Sequence, residues 1–213
     1  MEKDLTIEGL AHDLNNVFET ILEAAEALGH DAKSAKLAAA IQRSVDRGAR
    51  LLAGLSQTGR DLVEFDRALE NAIQQMMDFT GVTNLEPIEF RRGVESGLRL
   101  RGADGAWERV LVNLFLNAAR VNPKGCVIEV DGGRAGGTIE IRVANNGPGI
   151  PAEILDRIFD PGVSTKKARS RAARSGLGLH IVKTLVESNG GQVEARNRTG
   201  GGAEFIIAVP TPS

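Results

Sequence analysis

The spacing of the apolar residues changes near residue 59, and this change limits the folds open to the chain more than any other feature. Before it, apolar residues recur every three or four positions in two runs, which Gly29, His30 and Asp31 separate. The first run contains Ile7, Leu10, Leu14, Val17, Ile21, Ala25 and Leu28, and the second contains Leu37, Ile41, Val45, Leu52 and Leu55. Such spacing is typical of amphipathic helices with narrow apolar seams. The first 59 residues therefore predict an antiparallel helical hairpin.

A hairpin with two narrow seams buries too little surface to be stable by itself. Pairing two copies of the chain in a four-helix bundle would cover both seams. The alternative is a hairpin that packs against the rest of its own chain. We expect a homodimer, with residues 1–59 as the dimerisation hairpin and residues 60–213 as a second domain.

The second domain mixes short strand-like runs with helical stretches. The strand-like runs are Ile88–Arg91, Leu98–Arg101, Val127–Asp131, Thr138–Ala144, Gln192–Arg196 and Ala203–Val209. The helical stretches are Asp66–Asp78, Asp104–Val121, Ala152–Ile158 and Leu177–Ser188. Glycine pairs at Gly132-Gly133 and Gly136-Gly137 predict turns. The chain as a whole is therefore predicted to be α+β, with a two-layer α/β sandwich after the hairpin.

Composition sets broad limits on partners and compartment. A formal net charge of −2 gives no general electrostatic reason to bind nucleic acid or an anionic membrane. No run approaches the roughly 18 apolar residues of a membrane span, so a membrane tether of a longer parent protein would lie outside this sequence. The single cysteine, Cys126, favours a core position and a reducing, cytoplasmic setting.

His12 lies about opposite the first apolar seam, on the face of the helix that points to water. Asp13 is its neighbour, and Asn16 follows one helical turn later. An exposed imidazole beside a carboxylate can act as a nucleophile toward a phosphoryl group, and Asn16 could orient a water for the reverse hydrolysis. Taken alone, this segment favours an ordinary polar helix surface over a functional site, because histidine is common on exposed helix faces.

Four polar or glycine-rich segments follow one another in the second domain. They are Trp107–Ala119, Asn145–Ile150, Ile158–Lys166 and Ser175–Leu179. In the first, Asn113 and Asn117 share a helix face, where amide oxygens can hold Mg²⁺ and position triphosphate oxygens. The glycines of the second segment let a base or sugar approach the backbone, and the fourth opens a helix whose free N–H groups suit phosphate. Each segment alone is common, but the ordered set is specific.

The four segments resemble the N, G1, F and G2 boxes of histidine kinases, and Ala11–Asn16 resembles their phosphoacceptor box. The resemblance extends from about Leu5 to Val209. It implies the Bergerat ATP-binding fold with a mixed sheet, which is shared with gyrase, Hsp90 and MutL. It also implies autophosphorylation of His12 by ATP and transfer to an aspartate of a response-regulator receiver domain. Reverse dephosphorylation of the regulator is a further activity of such proteins.

The resemblance also implies a role for each matching residue. His12 would be the phosphoacceptor, Asp13 its acid/base partner, and Asn16 would serve dephosphorylation. Asn117 would bind Mg²⁺, and Asn113 would hold the nucleotide at a position where the ATPase relatives carry a glutamate base. The other residues implied to bind ATP are Asn145, Gly147, Gly149, Lys166, Gly176 and Gly178.

Two positions depart from the family pattern. Asn145 stands where the family has an aspartate that accepts a hydrogen bond from adenine, and Arg174 replaces the first glycine of the G2 box. A neutral acceptor binds more weakly than a charged one, so we expect weak ATP binding. The alternative function is a weak or inactive pseudokinase that relays phosphoryl groups between receiver domains. A third class is an ATPase or serine kinase on the same fold.

The stretch from Lys166 to Arg174 carries five cations and no acid. It is either a solvated loop or a lid that neutralises the phosphates of ATP. Nucleic-acid binding is not favoured, because no aromatic residues are interleaved with the cations.

Overall fold

The computed structural model describes residues 62–82, 86–161, 163 and 178–212, together with Ile21 and Ile41, which are both helical. The rest of the predicted hairpin lies outside the described residues. The predicted site residues that also lie outside them are His12, Asp13, Asn16, Lys166 and Gly176, and Arg174 does so as well. None of the described helices is long and apolar enough to cross a membrane.

The described residues from Leu62 onward form seven strands and four helices, which we number in chain order. They are β1 (Leu62–Glu64), α1 (Phe65–Val82), β2 (Glu89–Val94), β3 (Arg99–Arg101), α2 (Asp104–Val121), β4 (Val127–Ala135), β5 (Thr138–Asn145), α3 (Ala152–Leu155), α4 (Gly178–Ser188), β6 (Gln192–Asn197) and β7 (Ala203–Pro210). Five strands form one sheet in the order β2-β4-β5-β7-β6. Only β2 and β4 are parallel within it, so the sheet is mixed, as predicted. Strands β1 and β3 form a separate antiparallel pair.

The core lies between the helices and one face of the sheet. In β5, Ile139, Ile141 and Val143 are buried, whereas Arg142 between them is exposed on the opposite face. Helix α2 packs against both α1 and α4 and contributes Trp107, Leu111, Leu114 and Phe115 to the core. The ring of Phe115 meets that of Phe90 on β2 edge-on, with centroids 5.1 Å apart. This arrangement confirms the predicted two-layer α/β sandwich.

Strand β4 corrects one prediction. Gly132-Gly133 is not a turn, because β4 continues to Ala135 and Gly132 pairs with Val94 on one side and Ile141 on the other. Only the second glycine pair includes a residue with positive φ, Gly136 at 63°, which a tight turn needs. Glycine content alone could not distinguish the two pairs. The three-residue strand β1 was not predicted.

Cys126 is a core residue, as predicted, and this gives a first test of the fold. Its side chain is 4% exposed, and burial raises the pKa of the thiol. Because the thiolate is the reactive species, we expect Ellman's reagent at pH 8 to react at least about tenfold more slowly with the native protein than with the unfolded chain. Stopped-flow absorbance would measure both rates. Equal rates would contradict the buried position of Cys126.

Candidate functional site

The side chains of Asn113 and Asn117 lie half-buried on one face of α2. The Nδ2 of Asn113 donates to the carbonyl of Arg109 at 2.8 Å, which directs its Oδ1 away from the helix backbone. A Cβ atom added to Gly178, the first residue of α4, would lie 3.2 Å from that Oδ1. The fold therefore places a predicted nucleotide-binding amide beside a helix N-terminus that is distant in sequence. Free N–H groups at such an end suit a phosphate.

Asn117 presents the second amide of this face. No hydrogen bond within the described residues occupies its side chain. The described residues also contain no cluster of three or more His, Cys, Asp or Glu side chains arranged to hold a metal. A cation here would be bound by amide oxygen together with oxygens of its ligand, which is the kind of coordination that Mg²⁺ adopts with nucleotides. Amide oxygen is a ligand that Mg²⁺ accepts, so the half-buried Asn117 is compatible with its predicted role.

Asn145 ends β5, and its side chain is buried at 4% exposure. Its amide has two orientations that form hydrogen bonds. In one, Oδ1 accepts from the N–H of Ala203 at 3.4 Å. In the other, Oδ1 accepts from the N–H of Gly147 at 2.8 Å and Nδ2 donates to the carbonyl of Ala203 at 3.1 Å. We adopt the second, because it satisfies both ends of a buried amide. Asn145 thus joins the start of its own loop to the start of β7.

We call residues 145–150, which begin at the last residue of β5 and contain both predicted glycines, the nucleotide loop. The side chain of Asn146 anchors its beginning to the α2–β4 connection. Its Oδ1 accepts from the N–H of Val127 at 2.9 Å and from Nδ2 of Asn122 at 3.0 Å. Its Nδ2 donates to the carbonyl of Gly125 at 3.0 Å. No sequence motif predicts a role for Asn146, whose only signal is its position beside Asn145.

Asn197, at the end of β6, anchors the other end of the nucleotide loop. Its Oδ1 accepts from the N–H of Ile150 at 2.6 Å, and its Nδ2 donates to the Ile150 carbonyl at 2.9 Å. Asn197 belongs to none of the predicted motifs, because a side-chain contact across 47 residues leaves no local pattern in the sequence. The nucleotide loop is thus held at both ends by asparagine side chains.

The two loop glycines make room for these asparagines. A Cβ at Gly147 would lie 2.7 Å from the side-chain amide of Asn145. A Cβ at Gly149 would lie 2.7 Å from Oδ1 of Asn197. From the sequence we assigned both glycines to the approach of a base or sugar. The structure gives each glycine a second role, because a side chain at either position would collide with one of the asparagine side chains that hold the loop.

Ile158 and Phe159, the first two residues of the third predicted segment, pack in the core beside the sheet. Ile158 is buried, and the ring of Phe159 meets that of Phe205 on β7 edge-on at 6.3 Å. The Nδ1 of His180 lies 3.3 Å from the carbonyl of Phe159. His180, to which the sequence gave no catalytic role, therefore contacts backbone and joins this segment to α4.

Comparison with known proteins identifies the family to which this fold and site belong. Residues 102–213 match the family described as histidine kinase-, DNA gyrase B- and HSP90-like ATPase. This match covers more than half of the chain, so the chain belongs to that family. The resemblance stated from the sequence motifs is confirmed.

Individual relatives agree with this assignment. The chain is 37% identical over 124 residues to the sensor-like histidine kinase SenX3 of Mycobacterium tuberculosis, covering 58% of this chain and 30% of SenX3. The solved catalytic domain of histidine kinase ThkA superposes with a TM-score of 0.60 at 25% identity, over 71% of this chain and 95% of that domain. Full-length ShkA shares the fold, with a TM-score of 0.60 at 22% identity over 97% of this chain and 46% of ShkA. The chain spans less than half the length of SenX3.

Two glycines before β7 offer a matched test of the junction with Asn145. Gly202 and Gly200 have similar positive φ angles, +94° and +97°, but only a Cβ at Gly202 would meet protein, 1.9 Å from the backbone oxygen of Asn145. Both alanine variants carry the same backbone strain, so their difference isolates the close approach. We expect Gly202→Ala to lower the free energy of unfolding by at least about 2 kcal/mol more than Gly200→Ala. Urea denaturation would measure both; equal losses would contradict the junction.

Asn145→Asp tests the amide orientation at the same junction. From the sequence alone, restoring the family's aspartate is expected to tighten ATP binding. The structure adds an opposing effect, because the carboxylate oxygen that replaces Nδ2 could not donate to the Ala203 carbonyl and would face it unfavourably. We expect the variant to lose about 1–3 kcal/mol of unfolding free energy at neutral pH and to gain no affinity for ATP. The unfavourable contact raises the pKa of the new carboxyl in the folded state, so the loss relative to wild type shrinks as pH falls and the carboxyl is protonated.

Parallel urea denaturation of both proteins from pH 4 to 8, with calorimetric titration of ATP at neutral pH, would test this expectation. An unchanged unfolding free energy at pH 7 together with tighter ATP binding would show that Nδ2 of Asn145 does not donate to Ala203.

Proposed function

We propose that this chain is the core of a two-component sensor histidine kinase. Residues 1–59 dimerise and carry the phosphoacceptor His12, and residues 60–213 bind ATP. The observation that best supports this proposal is the approach of Gly178, at the start of α4, to the Asn113 face of α2, where a Cβ at Gly178 would lie 3.2 Å from Oδ1 of Asn113. Gly147 of the nucleotide loop lies against the end of the same helix, where its Cβ would be 3.3 Å from the Val121 side chain. The family match supports ATP as the nucleotide.

The two ends of ATP are assigned to different parts of the site. The nucleotide loop, with Asn145, Gly147 and Gly149, would receive the adenosine end. Asn113 and Gly178 would lie at the triphosphate, together with Lys166 and Gly176 of the sequence motifs. The solved ShkA, which has the same fold, is in complex with the nucleotide analogue AMPPNP, in agreement with this use of the fold.

Asn117 is the proposed protein ligand of Mg²⁺. When bound, the cation neutralises charge on the triphosphate as the terminal phosphoryl group leaves. Asn113 holds the nucleotide but, being an amide, it cannot remove a proton from water. This residue pair therefore favours transfer of the phosphoryl group over its hydrolysis.

The proposed transfer uses His12 as the nucleophile. A ring nitrogen forms a bond to the γ-phosphorus of ATP while the bond to the β–γ bridging oxygen breaks, and ADP leaves with that electron pair. The Asp13 carboxylate accepts a hydrogen bond from the N–H of the other ring nitrogen, stabilises the positive charge that develops on the ring, and can accept that proton as its acid/base partner. The phosphohistidine then passes its phosphoryl group to an aspartate of a receiver domain, and Asn16 would orient water for the reverse dephosphorylation.

The hairpin is proposed to form a four-helix bundle with a second copy of the chain. Ile21, a residue of its first apolar seam, leaves 38% of its surface exposed in a single chain, as expected of a residue that a partner helix covers. The buried, unpaired Cys126 fits a reducing cytoplasmic compartment. Response-regulator receiver domains are the proposed partners.

The second candidate is a relay protein without kinase activity. Asn145 favours it, because the family aspartate is missing and the amide atoms of Asn145 are bonded to Gly147 and Ala203. In this alternative, His12 only exchanges phosphoryl groups with receiver domains. Arg174, in place of a glycine, favours the same alternative.

Labelling with γ-³²P-ATP and Mg²⁺ distinguishes these functions. We expect an acid-labile, base-stable label on the wild type, complete loss in His12→Gln, and retention in His30→Gln, which removes a histidine from the predicted turn instead. An unlabelled wild type whose His12 still accepts a phosphoryl group from a phosphorylated receiver domain would establish the relay instead. Label that persists in His12→Gln would favour the ATPase or serine-kinase class.

A further inference from the structure

We propose that Asn197 is a positioning residue for nucleotide recognition, which holds the nucleotide loop in a binding-competent shape before ATP arrives. This inference rests on the proposed nucleotide-binding function. Asn197 lies on β6, the edge strand next to β7, and none of the predicted motifs contains it. Asn197 is therefore expected to influence binding of the adenosine end of ATP and not binding of the triphosphate.

Asn197 pairs with both backbone polar groups of one residue. Its amide accepts from the Ile150 N–H at 2.6 Å and donates to the Ile150 carbonyl at 2.9 Å. An antiparallel strand partner would make the same two hydrogen bonds with its backbone. The side chain therefore supplies one rung of a β-ladder at a point where the nucleotide loop has no strand beside it.

The chemistry of this contact requires an amide of this length. Ile150 as a whole residue is buried at 9% exposure, so unpaired backbone groups at this position would be costly. Aspartate could accept from the N–H but could not donate to the carbonyl. Serine has one oxygen and cannot span both groups, whereas alanine offers neither bond.

Gly149 shows that the loop and the side chain fit each other. A Cβ at Gly149 would lie 2.7 Å from Oδ1 of Asn197 and 3.0 Å from its Cγ. A side chain at position 149 would therefore displace the Asn197 amide from Ile150, in addition to limiting any approach of the nucleotide. The two residues should then act as a coupled pair, with effects that are not additive.

The position of the contact determines its consequence for binding. Asn145 and Asn146 hold the beginning of the nucleotide loop, and Asn197 holds its end. A loop fixed at both ends does not have to be ordered by its ligand, so less binding energy is lost when ATP binds. Releasing one end should weaken contacts to the base while leaving the distant phosphate contacts unchanged.

Calorimetric titration of the full chain with Mg-ATP and with Mg-tripolyphosphate, which lacks a base, would test this role. We expect Asn197→Ala to raise the Kd for ATP about tenfold and Asn197→Ser to raise it less, with no change for tripolyphosphate. Asn189→Ala is the matched control, because it also removes a side-chain-to-backbone hydrogen bond, to Leu185 at 2.7 Å, but away from the loop. It should leave the Kd for both ligands unchanged.

A double-mutant cycle adds a readout that a general loss of stability would not produce. Gly149→Ala should weaken ATP binding less in the Asn197→Ala background than in the wild type, because the colliding Oδ1 is gone. Equal losses in the two backgrounds, or equal weakening of ATP and tripolyphosphate by Asn197→Ala, would overturn the positioning role. A wild type that binds tripolyphosphate but not ATP, or neither, would instead contradict the proposed function.

Discussion

The close approach of β7 to the end of β5 is the contact on which the candidate site depends. Gly202 lies so near the backbone of Asn145 that no side chain fits between them. Because the strands meet there, the Ala203 carbonyl comes within reach of the Asn145 amide, and that amide in turn holds Gly147. A backbone constraint in the sheet thus determines where the nucleotide loop begins.

The nucleotide loop is held by neutral amides rather than by ion pairs. Asn145, Asn146 and Asn197 each use both the donor and the acceptor of the side-chain amide in hydrogen bonds that join the nucleotide loop to another segment of the chain. Amides do not titrate in the physiological range, so these contacts are independent of pH and little screened by salt. Charged pairs lie elsewhere, as between Arg196 and Glu204 on the exposed face of the sheet. The hydrogen bonds that hold the nucleotide loop are therefore formed by neutral side chains, whereas the ion pair between Arg196 and Glu204 lies on the exposed face of the sheet.

The parts of the fold that could be predicted are those with a periodic or ordered signal. Helix α2 was predicted with its observed bounds, Asp104–Val121, because its apolar face and paired asparagines repeat at helical spacing. Strand β4 was predicted too short, since glycines within a paired strand resemble a turn in the sequence. Asn145 was identified through its motif, but Asn197 was not. Its contact depends on how β6 and the loop meet in space, which no local pattern records.

Asparagine at position 145, where the family has aspartate, changes how the two ends of the proposed nucleotide contribute to binding affinity. Its amide keeps the loop together through Gly147 and Ala203 but brings no charge to the adenosine end. A larger share of the affinity for ATP must then come from the triphosphate. The sequence between Lys166 and Arg174 carries five cations and no acid, which is the charge that such a compensation requires. Under the proposed function, neutral recognition of the base and charged recognition of the phosphates would then be divided between two segments of the chain.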